Sequence, residues 1–355
     1  MVVEDRDQAA TKAFSEKVMR DVAGWLASLM ACIGDRLGLF ACLAQGEATS
    51  EELAERAQIS ERYAREWLGA MACAGYLDYD PTSKRFCLPP AHVPVLAQED
   101  GLFFVGGLLQ GTFGALPALG QLLAAFRSGE GVPMSAYSAD AFEGMARLSN
   151  SWFENLLVQK WIPAMPAVQE KLMQGARMAD IGCGQGRALL KLAQAYPKAH
   201  YCGYDIFAPH VERANADARA AGVADRVRFV QLDAAEGLPE QYDIITTFNM
   251  VHDAPDPLKL LQAIRQALAP GGHYICTEVD ASDKLEENKG LHGTLFYCSS
   301  VLFCMPTSLA FQGAGLGTLG LPESRLREFC LKAGFRDLRR LPVEAPMNAF
   351  YDITA

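Results

Sequence analysis

The residues with the clearest chemical potential are glycines, carboxylates and one histidine, spread through the second half of the chain. Asp180-Ile181-Gly182-Cys183-Gly184-Gln185-Gly186 places three glycines at alternate positions. Glycine lets a backbone take positive φ and approach a ligand closely. The spacing G-x-G-x-G is not the G-x-G-x-x-G that cradles a dinucleotide. Further on, Gly203-Tyr204-Asp205 and Leu232-Asp233-Ala234-Ala235-Glu236 each bring an acid to the end of an apolar run. Asp180, Asp205 and Asp233 on successive strand ends suit one ligand that is cationic and carries a ribose. Asp205 is placed to accept hydrogen bonds from the ribose hydroxyls, as acids do in related folds. Asp233 is placed to accept from an exocyclic amine. An acidic rim is a poor host for a pyrophosphate. His252, in Phe248-Asn249-Met250-Val251-His252-Asp253, stands at the same edge. Histidine is the usual side chain for removing a proton near neutral pH.

These residues need strands to carry them to one edge. From residue 176 the pattern alternates strands with helices, which predicts a parallel sheet. Strands are expected at Arg177–Ile181, Tyr201–Tyr204, Val227–Gln231, Tyr242–Phe248 and His273–Glu278, then near Phe335–Leu341 and Asn348–Ile353. Helices are expected at Ala188–Ala195, from about His210 to Ala221, after Pro257, and at Glu323–Ala333 before Gly334. The fold class is therefore α/β, a doubly wound, mostly parallel seven-stranded sheet. In such sheets the ligand lies beyond the carboxyl ends of the strands.

The front of the chain reads differently. Residues 10–45 carry apolar side chains at helical spacing, with Val22, Trp25, Leu26 and Leu29 on one face. Thr49 and Glu52 form a capping-box pattern, Ser60 can cap a further helix, and Gly75 can stop it. Two short strand-like runs, Tyr76–Tyr79 and Arg85–Leu88, flank a turn-rich segment. Helix, helix, hairpin is a winged-helix pattern. Residues 1–100 hold 10 basic against 16 acidic residues, so the electrostatic footprint of a DNA-binding domain is missing. The expected organisation is a helical winged-helix domain over 1–100 for dimerisation or substrate cover, a helical region over 101–170, and the ligand-binding domain over 171–355.

Composition supports this division. A chain of 355 residues, half of them hydrophobic, favours two domains with a large core. The net charge of -10 argues against nucleic acid as a partner, because phosphate binding depends on Lys and Arg. None of the ten cysteines forms a C-x-x-C pair, so spacing offers no support for a metal site. The acidic, polar start does not read as a secretory signal. Reduced thiols and a cytoplasmic location follow as expectations. Gly101–Phe126 and Gly290–Pro322 lack Asp, Glu, Lys and Arg and are long enough to span a bilayer. Their many Gly, Ser, Thr and Pro residues predict buried soluble structure or a subunit interface, with no membrane partner.

DIGCGQG, the acidic end of strand two in GYD, and LDAAE after strand three together resemble the first three motifs of class I S-adenosylmethionine-dependent methyltransferases. The resemblance covers roughly residues 170–355. With the winged-helix front, HDAPDP and YCSSVLFCMPTSL, the chain resembles the bacterial winged-helix branch and, more distantly, plant phenolic O-methyltransferases. It implies S-adenosyl-L-methionine bound by Asp180, Gly182, Gly184, Gly186, Asp205, Ile206, Asp233, Ala234 and Asn249. It implies methyl transfer to a small-molecule hydroxyl, with His252 as general base and Glu278 steadying its ring. Tyr297, Phe303 and Met305 are expected in the substrate wall, a homodimer is the expected assembly, and no metal is implied. Ala254 stands where the plant enzymes carry tryptophan, and a second supporting acid is missing from Gly290–Pro322. Transfer to N, S or C by the same donor site stays open, as does a ligand-responsive regulator. A nicotinamide-dependent enzyme is disfavoured by the glycine spacing.

Overall fold

The chain was described by a computed structural model covering residues 2–345 and 347–355, with burial described from residue 7 onward. It divides into two compact units. One comprises residues up to Phe113 together with Asp140–Ser151, and the other Gly114–Ala139 together with Trp152–Ala355. The segment expected as a separate helical region is thus shared between the two.

The first unit opens on the long helix Val2–Arg36, followed by helices Leu39–Ala44, Ser50–Ala57 and Glu61–Cys73. Thr49 and Glu52 make the reciprocal capping box in full. Ser60 occupies the N-cap of the next helix, but its side chain makes no capping bond; its neighbour Ser50 instead donates to Glu61 at 2.6 Å. Gly75 follows the C-cap with φ of 76°, a left-handed turn that spares glycine a Cβ penalty. Strands β1 (Asp78–Asp80) and β2 (Arg85–Cys87) pair antiparallel as the wing. Phe40, Leu53, Trp67, Leu68 and Met71 form its core. Trp67 fills space that only glycine leaves at Gly34.

The second unit contains the sheet. Its strands are β3 (Arg177–Ile181), β4 (His200–Asp205), β5 (Val227–Gln231), β6 (Tyr242–Phe248), β7 (Leu268–Val279), β8 (Asp337–Leu341) and β9 (Asn348–Thr354). Their order is β5-β4-β3-β6-β7-β9-β8. The first five in this order are parallel, and β9 runs antiparallel to both β7 and β8. This is the seven-stranded, mostly parallel sheet expected from the alternation of strands and helices. Order reverses between β3 and β6, the switch point at which such sheets bind ligands. The runs of β3, β4 and β6 are buried on both faces, as strands covered by helices on each side must be.

Two stretches depart from expectation. Gly106–Ser128 and Leu291–Ala310 are long and apolar enough to cross a membrane by length and composition. Only 28% of the most apolar window in each is buried in the isolated chain, so most of that surface is not core. The second stretch is also not one regular helix. Leu291–Ser299 and Met305–Ala310 are α-helical, and Ser300–Cys304 between them is a π-helical turn. Single π turns inside helices commonly re-aim side chains at functional sites.

Candidate active site

The glycine loop follows β3 directly. Gly182, Gly184 and Gly186 all have positive φ, of 68°, 52° and 76°. The reasons differ along the loop. A Cβ on Gly182 would press on the Met250 side chain at 2.8 Å, and one on Gly186 would meet the Phe229 ring at 2.3 Å. A Cβ on Gly184 would meet nothing within 4 Å. Gly184 therefore faces open space, while its N–H donates to Asp205 Oδ2 at 2.8 Å. The other oxygen of Asp205 accepts from the Phe207 N–H at 2.9 Å. One carboxylate thus ties the loop after β3 to the turn after β4. Ile206 beside it is 38% exposed.

Asp180, at the end of β3, is only 2% exposed. Burial pushes its carboxyl up to about 7, against the hydrogen bond that Thr246 Oγ1 donates to it at 2.7 Å; the nearby Asp205 charge adds to the rise. Asp233 caps the short turn Ala234–Glu236 by accepting from the Ala235 N–H at 2.9 Å. Its side chain is exposed, and Ala234 beneath it is buried. Asn249 follows β6 with φ of 52°, a left-handed conformation uncommon outside glycine. Its N–H donates to the Thr277 carbonyl. Its buried Oδ1 has no hydrogen-bond partner among the described residues. A strained backbone presenting an unused acceptor at a strand end is a frequent mark of a binding site.

His252 and Glu278 are brought together. His252 sits in the short turn Val251–Asp253 after β6, and Glu278 lies near the end of β7. They are 3% and 1% exposed. His252 Nδ1 lies 2.5 Å from Glu278 Oε2, and Glu278 Oε1 accepts from the Val251 N–H at 2.9 Å. Both carboxylate oxygens are therefore spent on fixing this turn and its ring. A carboxylate on Nδ1 sets the tautomer and leaves Nε2 as the ring nitrogen that can take a proton. Nε2 lies 3.4 Å from Asp253 Oδ1. Burial opposes a charge on the ring, but Asp253 and Glu278 outweigh it, and bonds with Cys304 and Glu278 add to their effect. The imidazole is held well above its ordinary range.

The helix Leu291–Ala310 contributes Cys304, whose Sγ completes a cluster with His252 and Asp253. Residue-by-residue reading did not anticipate this neighbour, nor the Thr246 partner of Asp180. Nothing in local spacing links Cys304 to His252; only the absence of charge in the segment hinted that it lined something. Phe303 packs edge-on against Tyr137, with ring centroids 4.9 Å apart. Tyr137 donates to the Leu302 carbonyl at 2.8 Å. Tyr297 is 43% exposed and Met305 half-buried.

Comparison with known proteins places these features. Residues 172–301 match the family described as a methyltransferase domain. Residues 25–98 match a winged helix-turn-helix domain like that of Rv2258c. The ubiquinone biosynthesis O-methyltransferase of Aeromonas salmonicida is 33% identical over 113 residues, 31% of this chain and 46% of that protein. The 27-O-demethylrifamycin SV methyltransferase of Amycolatopsis mediterranei is 32% identical over 149 residues, 38% of this chain and 53% of that protein. The chain thus spans about half the length of these curated relatives. Among solved structures, the mitomycin 7-O-methyltransferase matches with a TM-score of 0.70 at 21% identity, over 98% of this chain and 99% of that one. Human N-acetylserotonin methyltransferase, solved with S-adenosylmethionine, matches with a TM-score of 0.71 at 18% identity, over 96% and 98%. Both share the fold along nearly the whole chain.

Proposed function

Because the chain joins a winged helix-turn-helix domain to a methyltransferase domain of the class I fold, we propose that it transfers a methyl group from S-adenosylmethionine to a small-molecule acceptor. The accepting atom is a hydroxyl oxygen, and His252 removes its proton. The observation that carries this reading is the placement of the glycine loop and the His252–Glu278 pair at the carboxyl edge of one parallel sheet. The O-methyltransferase names of the matched relatives favour oxygen as the acceptor.

The residues present fit the donor. Open space beside Gly184 leaves room for a ligand against the loop backbone, and Asn249 offers a buried acceptor that no described residue pairs. Gly182, Gly184 and Gly186 would cradle it, with Asp205 on the ribose. Ile206 and Ala234 would flank the adenine, with Asp233 near its amine. Asp180 and Asn249 complete the rim. When bound, the donor supplies a methyl group already activated on a sulfonium. The chain must then align the acceptor, an effect worth about 7–11 kcal/mol in favourable cases. Glu278 holds Nδ1 and leaves Nε2 for the acceptor proton. The imidazole must be neutral to take it. Its raised pKa favours, as a second reading, an acceptor that arrives already ionised, such as a thiolate. The working form is a homodimer, with neither nucleic acid nor membrane as a partner.

Calorimetry tests the donor site directly. S-adenosylmethionine and its demethylated product are expected to bind, and NAD is not. Tight binding of NAD with no response to either sulfur compound would sink the assignment.

A further inference from the structure

Cys304 ends the π-helical turn and lies against the His252 ring. Its Sγ, His252 Nε2 and an oxygen of Asp253 all lie within 4.8 Å of one another. Each of these atoms can bind a metal. Asp253 Oδ1 is out of contact with solvent and accepts no hydrogen bond among the described residues. It stands 3.4 Å from His252 Nε2. Tetrahedral zinc, with bonds of about 2.0–2.3 Å, holds its ligand atoms roughly 3.3–3.8 Å apart. One pair, His252 Nε2 and Asp253 Oδ1, is already at that separation, and Cys304 Sγ lies within 4.8 Å of both. Imidazole nitrogen, carboxylate oxygen and thiolate sulfur form a mixed set suited to a borderline-soft cation.

The surroundings fit the same occupant. A metal-binding histidine almost always gives its other ring N–H to a carboxylate or carbonyl, which fixes the tautomer. Glu278 Oε2 accepts that bond from Nδ1 of His252, at 2.5 Å. Thr318 Oγ1 donates to Cys304 Sγ at 3.1 Å and so fixes the position of the sulfur. Three protein ligands leave a fourth position open. The sequence conceals this set because Cys304 lies on a distant helix and no paired-cysteine spacing announces it.

We propose that His252, Asp253 and Cys304 form a three-ligand site for a divalent cation of the zinc class, and that its occupancy suppresses methyl transfer. Binding converts the Cys304 thiol to a thiolate and displaces the proton from His252 Nε2, releasing both protons to solvent. The cation takes the Nε2 lone pair, so the ring can no longer accept a proton. This second half rests on the reading of His252 as the base; the binding itself does not.

The test uses the full chain freed of metal with a chelator. Cadmium titration should produce the ultraviolet thiolate-to-metal band at one equivalent, and zinc should compete for it. Cys304→Ala should lose the band, and Asp253→Asn should weaken binding at least tenfold. Cys304→Ser, closer in size, guards against misfolding of the alanine variant and should also lose the band. A band that survives in both Cys304 variants would assign the metal to exposed thiols such as Cys73 or Cys298 and overturn the site. Zinc should lower turnover at least tenfold, and chelator should restore it. Absence of the band from an active enzyme overturns the site and leaves the methyl-transfer reading intact. Binding at Cys304 with undiminished turnover overturns the suppression and counts against His252 as the base.

Discussion

His252 lies between two carboxylates, and its charge decides how the site responds to pH. Burial disfavours the imidazolium, but Asp253 and Glu278 outweigh burial and raise its pKa well above the usual value. The neutral ring needed for proton removal therefore forms only as pH rises through this elevated value. Turnover on a hydroxyl acceptor should climb with pH past neutrality, rather than level off near pH 6.5. The linked stability runs the other way. The extra pairing is fully present below the unfolded value of about 6.5 and is lost as pH rises through the folded one. His252→Ala should lower kcat by roughly 10²- to 10⁴-fold, the usual range for loss of a general base, with little change in donor affinity. Glu278→Gln should cost less and move the pH–rate profile toward acid, because one raising charge is gone. Steady-state kinetics over a panel of phenols, thiols and amines measures both. A His252→Ala enzyme with near-normal kcat and an unchanged profile would show that proton removal lies elsewhere. At this scale His252 and Glu278 were legible as the chemical groups at two strand ends. Cys304 and Thr246 were not, since each meets its partner only through packing of distant segments.

The glycine loop shows how one element answers two demands. All three glycines require positive φ, which costs a residue with a side chain about 1–2 kcal/mol. Gly186 also needs the space that Phe229 occupies. Gly186→Ala should therefore destabilise the fold by more than the backbone strain alone, with overpacking adding about 1–3 kcal/mol. Gly184→Leu should cost mainly the backbone strain, because a Cβ there enters open space, yet it should abolish donor binding. Thermal unfolding and calorimetry on the two variants separate the effects. Wild-type affinity for S-adenosylmethionine in Gly184→Leu would mean that the ligand does not lie against this loop. The strands around the loop were readable to within a residue or two for β3, β5 and β6, because buried parallel strands are short apolar runs bounded by breakers. The π-helical turn Ser300–Cys304 carried no such signal, as its α-helical flanks have the same composition.

For the whole molecule, the exposed apolar surface is the feature to explain. On the helix Val2–Arg36, Phe14, Met19 and Trp25 are 66%, 65% and 50% exposed. Phe14, Val18, Val22 and Trp25 follow each other at three- and four-residue steps, one stripe along one face. An unpaired apolar stripe of this length marks an interaction site. We expect a symmetric homodimer that covers it, the commonest soluble assembly. Light scattering should give about twice the chain mass of 38.6 kDa, and Phe14→Glu with Trp25→Glu should shift the mass toward the monomer. A strictly monomeric wild type at micromolar concentration would refute this. Salt-sensitive binding to random duplex DNA would instead revive a regulatory role for the winged helix.

The sequence alone determined the sheet, the order of its ligand-bearing strand ends and the winged-helix front. Each of these is written in local terms: apolar runs of strand length, helical spacing, capping residues and glycines where the chain must turn. The net charge likewise argued against nucleic acid without any coordinates. Tertiary structure alone decided which groups lie together. It gave both oxygens of Glu278 to one turn and made Asp205, with one N–H on each oxygen, tie two loops together while a lone pair on each stays free. It set Cys304 beside His252 through a helix whose own sequence names no partner. Those outcomes depend on packing between segments far apart in the chain, and spacing along a single strand or helix holds no record of them.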